Sequence, residues 1–278
     1  MARKAIVLAA GNGARLAPIT ACVPKELLPL AGLPALHHVL AEAAEAGVTD
    51  ARIVLSKGKD SIKRYFDRSC FPKGDAAKAL CRERDRLLDR MRVSFACQKN
   101  PLGTGDAILS AGDFAGDDPI LVLYPDDLLG IQTRAGFRLL GRTGNDAPIT
   151  ALFRAAEKGR TAILTREVPG SEAHRYGVAY PYGLGNETYF KVRKIEEKPI
   201  GYASKKANVL LGRMVLSPAA LRSLSSLPRR DDLGVIPALN LEAEKGALVA
   251  VAFQGESFDL GSHESYLSAA VKSAGFLE

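Results

Sequence analysis

"LAAGNGARLAPITACVPKELLPL", residues 8–30, decides how this chain is read. It continues the apolar run "AIVL", which has the character of a strand, and turns at Gly11 and Gly13. Arg15 follows, and ten residues later comes Pro24-Lys25-Glu26, with a second proline at Pro29. A plain strand-to-helix turn needs neither the arginine nor the lysine. Glycines let backbone N–H groups approach a phosphate without a Cβ in the way. Arg15 adds a forked donor and Lys25 a compact charge, and the prolines stiffen the return path.

Outward from this loop the pattern is α/β. "LPALHHVLAEAAEAG" places Leu36, Val39, Leu40 and Ala43 on one helical face, with Pro34 near its start and Gly47 at its end, and "ARIVLS" is the next strand. Strand, helix, strand in this order predicts a parallel pair. Phe66 to Met91 is charged and helical, an excursion from the sheet. "RVSFAC" and "PILVLYP" are buried strands with a helix between them near Gly105. After "AILTREV" the pattern turns antiparallel: "YGVAYPYG", a turn at "LGNET", and "YFKVRKIEEKP". "ANVLLGRMVLS", helices around Pro218–Leu227 and Leu233–Gly246, "ALVAVAF" and a helix from His263 complete the chain. The expected fold is a Rossmann-like mixed sheet, mostly parallel and flanked by helices, with a small antiparallel portion.

Composition narrows the function classes. At 278 residues the chain is long enough for a full core, its apolar fraction is ordinary, and no run reaches membrane-spanning length. Met1 to Lys4 is too short for a signal peptide, and Cys22, Cys70, Cys81 and Cys97 form no CxxC, so a cytoplasmic protein with free thiols is expected. The net charge of +7 is spread along the chain and Trp is absent, which argues against nucleic acid and leaves a solvated basic surface or a polyanionic substrate. The four histidines show no metal-ligand spacing, and no Ser-His-Asp or Cys-His set is indicated. Among phosphate loops, the dinucleotide fingerprint fails because Leu16 stands where its third glycine belongs, and the P-loop GxxxxGK[S/T] is absent.

The pattern GxGxRLxPxTxxxPKELLP resembles the signature of the sugar-1-phosphate nucleotidylyltransferases, and most closely their bacterial UTP–glucose-1-phosphate uridylyltransferase branch. "CQKNPLGTGDAIL", "LVLYPDDLL", "YGVAY", "EEKP", "LLGRMVLS" and "FDLGSHESYL" match in order, and residues 66–91 are similar to an insertion typical of that branch. Departures are Ala14, Ala21 and Asp106, where the family often has Thr, Lys and His, and "RDDLGVIP" in place of a longer acidic helix start. The resemblance implies one nucleotidyltransferase domain over 1–278, with about 1–130 holding nucleotide and about 131–278 holding sugar phosphate. It implies transfer of a uridylyl group from UTP to glucose 1-phosphate with Mg²⁺, in a homo-oligomer (dimer or tetramer). Another nucleotide or sugar, or a non-catalytic regulatory relative, stands as the alternative.

The resemblance also assigns roles. Arg15 and the amides at Gly11 and Gly13 suit the β- and γ-phosphates, Lys25 the α-phosphate and Lys198 the sugar phosphate; each cation alone is equally a solvated surface charge. Asp126 and Asp259 suit Mg²⁺, or are turn and N-cap aspartates. Gln98 offers an amide to the uracil edge, with backbone groups of Ala10 and Gly11, and Gly103 leaves room for the ring. Glu197 and the Gly177 N–H suit the sugar hydroxyls. Asp127 is a turn residue or a hydroxyl contact, and Tyr176 packs on the sugar ring or belongs to the core.

Overall fold

A computed structural model describes residues 3–69, 75–134, 136–141, 148–183, 188–229 and 232–274. The turn at 184–187, Cys70 with 71–74 of the charged excursion, and Arg230-Asp231 of "RDDLGVIP" lie outside the described residues. The fold is mixed α/β and divides into two compact units that interleave along the chain. One contains Met1–Pro101, Leu123–Ala147 and Gly255–Glu278; the other contains Leu102–Val122 and Pro148–Gln254.

The first unit is built on three parallel strands. Arg3–Ala9 pairs with Val48–Leu55, which pairs with Arg92–Cys97, in registers such as Val7↔Ile53 and Ile53↔Phe95. Ala5 to Ala10 are all buried, as expected for a strand covered on both faces. The crossover helix Ala35–Glu45 starts directly after Pro34, and Gly47 (φ +82°) supplies the left-handed turn that releases the next strand. His37 and His38 are buried on this helix and are satisfied core histidines. The His38 ring meets the Leu30 carbonyl at 2.9 Å and the His37 ring meets the Tyr65 hydroxyl at 2.9 Å. The charged excursion forms the helix Asp75–Arg90.

A second sheet in this unit is absent from the sequence reading. Glu256–Asp259, Asp127–Thr133 and Gly136–Leu139 pair antiparallel, with Asp259 opposite Asp127. Its strands are short, and its hairpin closes so tightly that a Cβ on Gly130 would fall 2.1 Å from the Phe137 ring. The helix Pro148–Ala155, in the other unit, is likewise unanticipated.

The other unit departs from the expected sheet. Thr161–Pro169 runs parallel to Leu248–Ala252, but its pairing with Lys206–Leu216 is antiparallel. Tyr189–Glu197 is antiparallel to both Gly177–Pro181 and Leu248–Ala252. Antiparallel pairing is therefore more than a small portion. Of these antiparallel pairs only Gly177–Pro181 and Tyr189–Glu197 follow one another along the chain; the other two join strands separated by further elements, which gives the sequence no local sign of their direction. Asn240, on the helix Ile236–Glu244, accepts from the Ile195 N–H (2.7 Å) and donates to the Ile195 carbonyl (2.9 Å), locking that helix to the strand that ends at Glu197. No helix among the described residues is long and apolar enough to cross a membrane, and Cys22, Cys81 and Cys97 are free thiols.

Candidate active site

The glycine loop leaves the strand Arg3–Ala9 and folds back at Gly13, whose φ of +68° no β-carbon-bearing residue adopts cheaply. A Cβ there would also meet the Thr20 methyl at 2.9 Å, while the Thr20 hydroxyl donates to the Gly13 carbonyl at 3.0 Å. The single turn Ala14–Leu16 follows. Leu16 is buried and pins it, which explains why a leucine stands at the dinucleotide motif's glycine position. Arg15 projects outward, its Nη2 lying 3.3 Å from Asp259.

Pro24 holds the chain extended before a second short turn, Lys25–Leu27. The Lys25 ammonium bonds directly to the Asp126 carboxylate. Their side chains are 14 % and 16 % exposed, against 67 % and 47 % for Arg15 and Asp259, so the Lys25 pair is the less screened of the two. Burial pulls the Lys25 pKa down, but the Asp126 carboxylate, with Glu26 and Asp259 beyond it, outweighs burial and holds the group above the ordinary lysine value. Lys25 is thus fully charged at neutral pH. Gly11 lies beside it: a Cβ there would sit 3.7 Å from the Lys25 Nζ.

Two strand ends bring the carboxylates together. The Leu260 N–H donates to the Asp126 carbonyl at 2.7 Å, and Asp259 pairs across from Asp127, which is half-buried. Gly261 is a residue that sequence reasoning missed. Its N–H donates to Asp259 Oδ1 at 2.8 Å, and a Cβ on it would lie 2.3 Å from Arg15 Nη2. The donor set fits Mg²⁺, which takes one or two carboxylates and keeps its waters and phosphate oxygens. Among the described residues no three His, Cys, Asp or Glu side chains gather into a cage that would hold a metal unaided.

Beneath the loop lies a buried ion pair that was also missed. Lys59 Nζ donates to both carboxylate oxygens of Glu26 (2.8 and 2.9 Å), to the Ala9 carbonyl (2.8 Å) and to the Gly11 carbonyl (2.6 Å). Burial dominates both groups, raising the Glu26 pKa and lowering that of Lys59 against their mutual attraction. Gln98 is buried just past the strand Arg92–Cys97, where its N–H extends the parallel pairing to the Leu55 carbonyl at 2.8 Å. At the carboxyl ends of these strands opens a cavity of about 490 Å³, with Lys57, Lys63, Phe95 and Cys97 among its walls.

The remaining sequence-derived residues belong to the other unit. Gly177 faces Glu197 in register, and a Cβ on it would approach the Glu197 carboxylate to 3.1 Å. Lys198 adopts φ +46°, a left-handed backbone, and its N–H donates to the Tyr176 carbonyl at 2.9 Å; its ammonium lies 3.7 Å from Glu197. Strain of this kind costs about 1–3 kcal/mol and concentrates at functional positions. Tyr176 packs against the cluster of Val168, Ala173, Val178, Ala207 and Val209. Gly103 has φ +94°, and a Cβ on it would fall 2.6 Å from the Leu233 carbonyl, so packing alone already demands glycine there. Asp106 is buried, 3.6 Å from Arg229.

The structure thus gathers Gly11, Gly13, Arg15, Lys25, Asp126 and Asp259 in one unit, and Gly177, Glu197 and Lys198 in the other. Known proteins are similar to this chain over most of its length. UTP–glucose-1-phosphate uridylyltransferase YngB of Bacillus subtilis (strain 168) is 30% identical over 93% of this chain and 85% of its own length. The UTP–glucose-1-phosphate uridylyltransferase of Pseudomonas aeruginosa PAO1 is 30% identical over 97% of this chain and 95% of its own. Among solved structures, a UDP-glucose pyrophosphorylase complexed with UDP-glucose superposes with a TM-score of 0.82 at 27% identity, covering 98% of both chains. The UTP-bound enzyme from Acinetobacter baumannii gives 0.82 over 98% of this chain and 93% of that one. A model of the nucleotidyl transferase family matches residues 4–274, and with the cation-bearing glycine loop at its start this chain belongs to that family.

Proposed function

We propose that this protein transfers a uridylyl group from UTP to glucose 1-phosphate, releasing pyrophosphate and UDP-glucose. The observation that carries the reading is the pair of cation–carboxylate contacts at the glycine loop, Lys25 with Asp126 and Arg15 with Asp259. A phosphate oxygen of the sugar attacks the α-phosphorus, the bond to the bridging oxygen breaks, and its electron pair leaves on pyrophosphate. Both reactants are anions, so catalysis is mainly positioning and charge neutralisation. Arg15 and the amides around Gly11 and Gly13 hold the β- and γ-phosphates. Lys25, kept charged by Asp126, meets the α-phosphate, where charge shifts during transfer. Lys198 takes the sugar phosphate, and Glu197 with the Gly177 N–H takes the hexose hydroxyls; Asp127 is either a hydroxyl contact or a turn residue. Gln98, with Ala10, Gly11 and Gly103, reads the base. Mg²⁺ held by Asp126 and Asp259 would supply further charge neutralisation on the phosphates. The whole chain is read as one catalytic domain of a cytoplasmic homo-oligomer.

The test is pyrophosphate release by the purified protein with UTP, glucose 1-phosphate and Mg²⁺. Turnover is expected. Absence of release with every nucleoside triphosphate and hexose 1-phosphate would favour a regulatory relative. A different nucleotide or hexose is the second reading; Asp106, a buried carboxylate 3.6 Å from the exposed Arg229, stands where the resembled family often has histidine and, with Ala21, points instead to the regulatory relative.

Base choice is expected to depend on Gln98. Gln98→Ala should raise the KM for UTP several-fold with little change in the KM for glucose 1-phosphate, because only the uracil edge loses its donor and acceptor. Equal loss for both substrates would remove Gln98 from the base site.

A further inference from the structure

We infer that Lys59 and Glu26 form a positioning pair that sets the direction of the glycine-loop amides, and that UTP binding depends on it. The inference rests on the nucleotidyl-transfer reading and deepens it.

An ammonium has three donors. Lys59 directs them at four oxygens: the carbonyls of Ala9 and Gly11, at either end of the loop's first turn, and both oxygens of the Glu26 carboxylate. Glu26 is fully buried and Lys59 nearly so. The consequence follows from peptide geometry. In a planar trans peptide the C=O and the N–H point in opposite directions. Holding the Gly11 carbonyl inward, on Lys59, turns the Asn12 N–H outward; holding the Ala9 carbonyl inward turns the N–H of the buried Ala10 away from Lys59. Gly11 and Asn12 are exposed, so the outward direction is the open side of the loop. An outward N–H at such a turn is a donor for an anion. Glu26 meanwhile ties Lys59 to the residue next to Lys25, so one buried contact fixes the loop's amides and the base of its lysine together.

Stability alone does not call for such a pair. A buried ion pair replaced by apolar residues of similar volume is often neutral or stabilising. What an apolar pair would lack is any hold on the Gly11 carbonyl, which would then be free to turn outward and present oxygen to a phosphate.

The experiment compares the wild-type protein with Glu26→Leu/Lys59→Met, and with Glu26→Gln as the conservative change. Melting temperature, the KM for each substrate, and calorimetric binding of UTP and of inorganic tripolyphosphate are measured. The double variant is expected to melt within a few degrees of wild type. Its affinity for UTP and for tripolyphosphate should fall by about tenfold or more, with the KM for glucose 1-phosphate unchanged within about twofold. Glu26→Gln, which keeps an acceptor for Lys59, should lose markedly less. A purely structural pair would lower the active fraction without changing either affinity. If the double variant does not fold, Glu26→Gln decides: a two- to threefold weaker UTP and tripolyphosphate affinity at unchanged melting temperature supports the pair, and wild-type affinities overturn it. Folded variants that bind both anions like wild type overturn it as well. Tripolyphosphate binding needs no turnover. Loss of that binding in the variants, alongside a wild-type protein that releases no pyrophosphate, would therefore uphold the pair while sinking the proposed activity.

Discussion

Lys25→Ala is expected to lower kcat about a hundredfold and to change the KM for either substrate much less. A charge-assisted contact made at a centre whose charge grows in the transition state is worth roughly 3 kcal/mol, and its loss appears in kcat. Lys198→Ala should behave differently, because the sugar phosphate arrives and reacts with its charge less altered. Its removal should raise the KM for glucose 1-phosphate, with a smaller effect on the UTP constants. Alanine keeps the left-handed backbone constraint at 198, so the change isolates the ammonium. Steady-state kinetics with each substrate varied in turn, scaled to the folded fraction, checks both. Lys25→Ala also strips a largely buried Asp126 of its partner, so a lower melting temperature is expected alongside. If Lys198→Ala raises only the KM for UTP, the two lysines have been assigned to the wrong substrates.

Gly261→Ala is the second large effect. The added methyl would lie 2.3 Å from Arg15 Nη2 and 2.7 Å from Asp259 Oδ1, so the arginine must move. Arg15 is mostly exposed and its guanidinium is the far end of a flexible chain, so stability should change little. Activity should fall roughly ten- to a hundredfold, the loss expected when one charge-assisted contact worth about 1.5–3 kcal/mol is misplaced. The pairing of unchanged melting temperature with lost activity is the signature. Activity close to wild type would show that Arg15 does not need the position it holds against Asp259.

Much of the candidate site is legible because its residues sit in one continuous stretch. Gly11, Gly13, Arg15, Pro24 and Lys25 lie within 15 residues, and their spacing excludes the two commonest phosphate loops. The parallel strands were legible because strands buried on both faces read as unbroken apolar runs. The sheet carrying Asp127 and Asp259 was not. Glu256–Asp259 and Gly136–Leu139 are only four residues each, too short for a period to emerge, and Glu256–Asp259 pairs with Asp127–Thr133, over a hundred residues away. Lys59 lies in "SKGKDS", a polar run with the composition of any surface loop; only the fold shows that its ammonium is turned inward. Glu26 lies inside the motif, where a glutamate beside a lysine reads as solvated charge. Gly261 is a glycine for what lies opposite it, 246 residues earlier, and no local pattern encodes that.

The contact between Arg15 and Asp259 joins positions 244 residues apart. During synthesis at about 5–20 residues per second, that span takes roughly 12–50 seconds to emerge from the ribosome. A nascent chain that has reached Gln254 already contains the glycine loop, Lys25, Asp126, and all of the second compact unit. It lacks Asp259, Gly261 and the strand Glu256–Asp259 that pairs with Asp127–Thr133. The first unit is therefore closed by its final segment, after the intervening unit has been free to fold. Until then Arg15 lacks its contact with Asp259, and the strand Asp127–Thr133 lacks its partner Glu256–Asp259. The order of synthesis thus separates the halves of this contact in time: the glycine loop leaves the ribosome early, and the carboxylate it meets emerges late.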